Sequence, residues 1–167
     1  MASSSARRSI LHAFPQLGRE FRITSRATPV YNCAAWALQD AHRWWWPLGR
    51  HYWPPNCPRE ETVAAFKIAF QSRGFSEGET CDYQDAIEKI VLFADKDGVP
   101  THVARQLSNG RWTSKLGVRE DISHGLAQGC EGDLYGNIAL VMSRPIAGRS
   151  SRRERREDGA DGELSHA

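Results

Sequence analysis

No stretch of this chain stays apolar for the ~20 residues that a bilayer-spanning helix needs, so no membrane partner is expected. Arg7 and Arg8 are followed only by the short segment Ser9 to Phe14, which is not a secretion signal with a full apolar region and cleavage site. A reducing cytoplasmic setting is therefore expected, and disulfides are not. The charge is close to balanced, +2 over 167 residues. A dedicated nucleic-acid binder concentrates a basic face, so nucleic acid is not an expected partner. The four cysteines, Cys33, Cys57, Cys81 and Cys130, include no CxxC-type pair, which argues against structural zinc. There is no glycine-rich phosphate loop and no HExxH spacing. No metal and no cofactor are expected.

What is present suits one soluble domain, with 40% apolar and 25% charged residues. Residues 1–13 are rich in Ser and Arg and are expected to be flexible. Residues 147–167 form a charged stretch with Leu164 as its one large apolar residue, expected to be disordered. Between them lies a single α+β domain, residues 14–146. Nothing in the pattern fixes an oligomeric state.

Asn32 can cap a helix running from Cys33 to about Arg43, ended before Pro47. Pro54, Pro55 and Pro58 mark a loop. Glu60 to Arg73 carries Val63, Phe66 and Phe70 at helical spacing, with Gly74 just past the end. Ile87 to Ala94 reads as a strand, as do Thr101 to Leu107, Arg111 to Leu116 and Gly136 to Met142. Asn109-Gly110 signals a two-residue hairpin turn, which would set Ser114 across from Arg105. Asp121 to Ala127 reads as a short helix, with His124 structural or exposed on it. The expected fold is thus N-terminal helices packed on an antiparallel sheet of about four strands.

The chemistry centres on Cys33. A thiol in the first turn of a helix feels the positive end of the helix dipole, which favours thiolate. On the strand from Thr101, alternation puts His102, Ala104 and Gln106 on one face. Small Ala104 leaves room beside the imidazole. A Cys33–His102 pair would make the thiol a nucleophile. Ser114 and Asp121 are the candidates to orient the imidazole. Asn32 could assist an oxyanion. Six tryptophans are many for this length, and five lie between Trp36 and Trp53. Trp44, Trp45 and Trp46 cannot all point inwards from one helix face, so an aromatic wall is conceivable. Asn32, Trp36, Trp45 and Lys115 are the candidate substrate-binding residues.

A cysteine opening a helix, then a histidine strand, then a strand ending in Gly117 resembles the papain-like superfamily, which includes the NlpC/P60 and CHAP amidases. That resemblance implies a papain-like fold and a Cys, His and polar third residue in this order, here Cys33, His102 and Ser114. Ser114 stands where papain-type enzymes carry Asn, and Ala27 where they carry Gln. The segments Tyr31-Asn32-Cys33, Ala35-Trp36-Ala37, Arg43-Trp44-Trp45-Trp46-Pro47, Thr101 to Leu107 and Trp112 to Gly117 look more closely similar to an uncharacterised bacterial domain family, which implies no activity. The function expected is a thiol hydrolase or amide/acyl transferase acting on a peptide or other amide. The alternative is a non-catalytic ligand-binding domain with a Trp-rich groove.

Overall fold

Strand periodicity governs most of this chain. The computed structural model describes residues 4–148, so the charged stretch from Arg149 on lies outside the described residues. Seven antiparallel strands form one sheet. They are β1 (Arg22–Ile23), β2 (Ser76–Glu77), β3 (Ile87–Ala94), β4 (Pro100–Gln106), β5 (Trp112–Lys115), β6 (Asp121–His124) and β7 (Asn137–Pro145), in spatial order β1-β6-β5-β4-β3-β7-β2. Three short helices accompany them, α1 (Ser4–Ala13), α2 (Cys33–Ala37) and α3 (Val63–Gln71).

This corrects the expected architecture of helices on about four strands, and a papain-like fold is not what the chain shows. The strands β1 and β2 have two residues each, too few to display a period of two. Asp121 to His124, expected to be helical, is strand β6. Its Ile122 is fully buried and faces Ser114 on β5, and burial on a pleated surface outweighs the helix-start signal of Asp121. A 3-10 turn follows at Ala127–Cys130.

Residues 4–13, expected to be flexible, form helix α1. Its Ile10 is fully buried, and Arg7 caps the carbonyls of Phe21 and Arg19. Helix α2 stops at Ala37 rather than Arg43. Gln39 takes φ 62°, and Asp40 N–H returns to the Ala35 carbonyl at 2.9 Å, which closes the last turn. Helix α3 starts at Val63 because Thr62 accepts from Ala65 N–H at 3.1 Å.

A separate core covers each face of the sheet. On one, Ala34, Ala35 and Ala37 of α2, Phe66 and Phe70 of α3, Trp45 and Trp53 pack on Ile90, Leu92, Val103 and Met142. On the other, Ile10, Phe14, Leu17 and Phe21 pack on Val91, Phe93, Ala104, Trp112 and Ile122. Which face a strand residue occupies therefore decides which residues it can meet.

Candidate active site

The β4–β5 connection sets the site. Leu107 N–H bonds to the Arg111 carbonyl at 2.7 Å, leaving a three-residue loop, Ser108 to Gly110, instead of the expected two-residue turn. The pairing moves by one, to Ala104 opposite Ser114 and Arg105 opposite Thr113. A shift of one residue moves each side chain to the other face. Ser114 thereby joins His102 on the second face, and through β6 so does His124, which pairs with Trp112.

These residues meet in the interior. His102 Nε2 lies 2.9 Å from Ser114 Oγ, and Ser114 Oγ lies 2.9 Å from His124 Nε2. His124 Nδ1 is 2.7 Å from the Leu126 carbonyl oxygen. Cys130 Sγ sits 3.7 Å from Ser114 Oγ and 3.8 Å from His124 Nε2. Tyr135 stacks on His102, with centroids 4.3 Å apart. His102 and Ser114 have no solvent exposure, and His124 has 1%.

One proton assignment satisfies this chain. A carbonyl only accepts, so His124 Nδ1 carries a proton, and in the neutral ring Nε2 is bare. Ser114 has a single proton, and that Nε2, at 2.9 Å from Ser114 Oγ against 3.8 Å from the weaker Cys130 thiol donor, takes it. His102 Nε2–H must then donate to Ser114 Oγ, and His102 Nδ1 is left as an unprotonated lone pair. That atom is buried and has no hydrogen-bond partner. Burial keeps both rings neutral, pushing His102 down to about 3, with His124 adding to the shift, and His124 down to about 4.

Cys33 opens α2, capped by Asn32, whose Oδ1 accepts from Ala35 N–H at 3.2 Å. Asn32 is also tied to Trp45, through Nδ2 to its carbonyl at 2.7 Å and through Oδ1 to its N–H at 3.1 Å. Helix α2 lies on the first face of the sheet, where Trp36 Nε1 donates to Thr113 Oγ1 at 2.9 Å. His102 points to the other. The backbone N–H of Val103, the residue next to His102, draws the Cys33 thiol downward. Helix α2 packs on β4 from the face opposite to His102, so the β4 backbone lies between Cys33 and His102, and no hydrogen bond joins them. A helix of five residues has a weak dipole, and burial dominates, pushing the Cys33 thiol up to about 11 against the pull of that N–H.

Asp121 lies on the first face, away from His102, and accepts from Tyr31 Oη at 2.7 Å. Lys115, opposite Asp121 on β5, is fully buried, with its ammonium on the carbonyls of Thr28 (2.8 Å), Gly117 (2.6 Å) and Arg119. Trp45 is buried, its Nε1 donating to Asp40 at 2.8 Å. His124 and Cys130 complete the buried cluster, and sequence reasoning missed both. The available signal was the alternation Asp-Ile-Ser-His, which puts His124 in phase with Ile122. Among the described residues no group of three or more His, Cys, Asp or Glu is arranged to hold a metal. No helix among them is long and apolar enough to cross a membrane.

The chain belongs to a family described as a domain of unknown function (DUF7689), whose profile matches residues 22–143. The match agrees with the expectation of an uncharacterised domain family. No curated protein and no solved structure matches the chain.

Proposed function

For a member of this family, we propose that the chain is a thiol hydrolase or acyl transferase acting on an amide, with Cys33 as nucleophile and His102 as general base. One observation carries the reading. The relay from Leu126 through His124 and Ser114 leaves His102 Nδ1 as a buried lone pair without a partner, on the strand against which the Cys33 helix packs. A buried nitrogen left unsatisfied opposes folding by about 1–3 kcal/mol, and catalytic groups are where such a penalty is retained.

The two groups start neutral, so the route is general-base catalysis rather than a preformed ion pair. The β4 backbone stands between the two groups, so the step requires α2 to part locally from β4 and bring the sulfur to the imidazole. As the Cys33 sulfur then bonds to the amide carbonyl carbon, its proton passes to His102 Nδ1. That proton then goes to the leaving nitrogen as the C–N bond breaks, giving a thioester on Cys33. Water or an amine attacks the thioester and returns the thiol. Throughout, Ser114 accepts from His102 Nε2–H and holds the ring. Substrate entry requires Tyr135 to leave its stack on His102.

The test is acylation by p-nitrophenyl acetate, read by intact mass and peptide mapping. The expected result is a hydroxylamine-sensitive acetyl group on Cys33, absent in Cys33→Ser and strongly reduced in His102→Gln. Equal acetylation of Cys33, Cys57, Cys81 and Cys130, unaffected by His102→Gln, would overturn the reading.

A further inference from the structure

The thiol chemistry leaves one conspicuous part of the sequence unused, the Arg43-Trp44-Trp45-Trp46 run with Tyr52. Around it lies a cavity of about 210 Å³ lined by Leu38, Asp40, Arg43, Trp45, Arg73 and Arg144. Three guanidinium groups and a single carboxylate therefore line one small space.

The guanidinium groups are held in place by aromatic rings. Arg43 Cζ lies 3.4 Å from the Tyr52 ring centroid, Arg73 Cζ lies 5.0 Å from that of Trp45, and Arg144 Cζ lies 4.3 Å from that of Phe75. One edge of each is also pinned. Arg43 Nε bonds to Asp40 at 2.7 Å, Arg73 Nη2 to Tyr52 Oη at 2.8 Å, and Arg144 to Glu88 at 2.8 Å and the Arg73 carbonyl at 2.6 Å. Nε and Nη1 of Arg73 and Nη2 of Arg144 make no further hydrogen bond among the described residues, and Arg43 faces Tyr52 besides Asp40. Asp40 does not offset them all, because its oxygens are already engaged by Trp45 Nε1, Arg43 Nε and His42 N–H.

Like charges gathered at one cavity repel, and the repulsion is relieved by an anion between them. Guanidinium groups match oxyanions through paired N–H donors. Three of them around one space can grip three oxygens, which a phosphate group offers and a carboxylate does not. Asp40 and Glu88 each pair with one of the three guanidinium groups, and the positive charge that remains in excess suits an anion.

We propose that this cavity is a binding site for a phosphate group, held by Arg43, Arg73 and Arg144. The phosphate belongs either to a soluble phosphomonoester or to a lipid headgroup. The site is separate from Cys33 and His102 and does not depend on the thiol reading.

The test is calorimetric titration of the full chain with inorganic phosphate, glycerol 3-phosphate and acetate at constant ionic strength. Flotation with phosphatidylcholine vesicles carrying phosphatidic acid runs beside it. Saturable binding of glycerol 3-phosphate, weakened at least tenfold in both Arg73→Gln and Arg43→Gln, supports the site with a soluble ligand. Vesicle binding without soluble binding, lost in the same variants, supports it with a headgroup. Two variants on different segments guard against a folding artefact in either, and circular dichroism confirms each fold. No saturable binding to any phosphate probe, equal binding of acetate, or unchanged binding in both variants overturns the proposal.

Discussion

The imidazole of His102 lies flat on the ring of Tyr135, with centroids 4.3 Å apart and planes 3° from parallel. Tyr135 in turn touches Phe14 and Phe93, so it closes the interior over His102. Replacing Tyr135 with Leu keeps most of the bulk and removes the stack. Stability should fall by about 1 kcal/mol in urea denaturation, the usual worth of an aromatic pair. Alkylation of Cys33 should become faster in the same variant, because the cover over the site is looser.

Gly136 makes that cover possible. Its φ is 72°, and a Cβ there would stand 2.0 Å from the Ala94 carbonyl oxygen. Neither the backbone of β3 nor a left-handed alanine relieves this easily. Gly136→Ala should lower stability by roughly 3 kcal/mol or more, measured by denaturant unfolding.

Lys115 is expected to act on stability. Its ammonium is the shared donor for the carbonyls of Thr28, Gly117 and Arg119. Lys115→Met keeps the length of the side chain and orphans those oxygens. Unfolding free energy should drop by roughly 2–4 kcal/mol, since each buried unsatisfied group costs about 1–3 kcal/mol.

The neutral histidine pair sets an acid limit. Folding lowers His102 to about 3 and His124 to about 4 from an ordinary 6.5, so between pH 6.5 and about 4 the unfolded chain holds protons that the folded chain does not. Stability is then full above pH 6.5 and falls with pH below it, by up to about 1.4 kcal/mol per pH unit for each ring. The Cys33 thiol acts at the other end. Its folded value of about 11 lies above the ordinary 9.0, so stability falls again as pH rises from 9 towards 11. Urea midpoints across pH should show both slopes, and His124→Gln should flatten the acid one.

Sequence period identified the central strands well. Ile87–Ala94 matches the expected strand end to end, because Ile90, Val91, Leu92 and Phe93 form an apolar run buried on both faces. The strands β4 and β5 fall within a residue of expectation. The register between them was not legible. Asn109-Gly110 suggests a two-residue turn, whereas the loop includes Ser108, and that one residue carries Ser114 to the face of His102. Nor was the face of Asp121 legible. Once Asp121 to His124 is a strand, its ends point to opposite sides, Asp121 to Tyr31 and Lys115, His124 to Ser114. The sequence suggests Cys33 and His102 as a pair, with His102 on a strand, and His102 does lie on β4. That the strand's backbone stands between them follows from packing α2 on Val103 and Thr113, which no local pattern records.

The most direct test of the account is the rate at which iodoacetamide modifies Cys33 at pH 7.5 in the native chain and in His102→Gln, with Cys130 as the internal reference. If His102 Nδ1 is the general base, Cys33 modification should slow on the order of 100-fold in the variant, the usual scale of such assistance, while Cys130 is little changed. Equal rates at Cys33 in the two proteins would contradict the account.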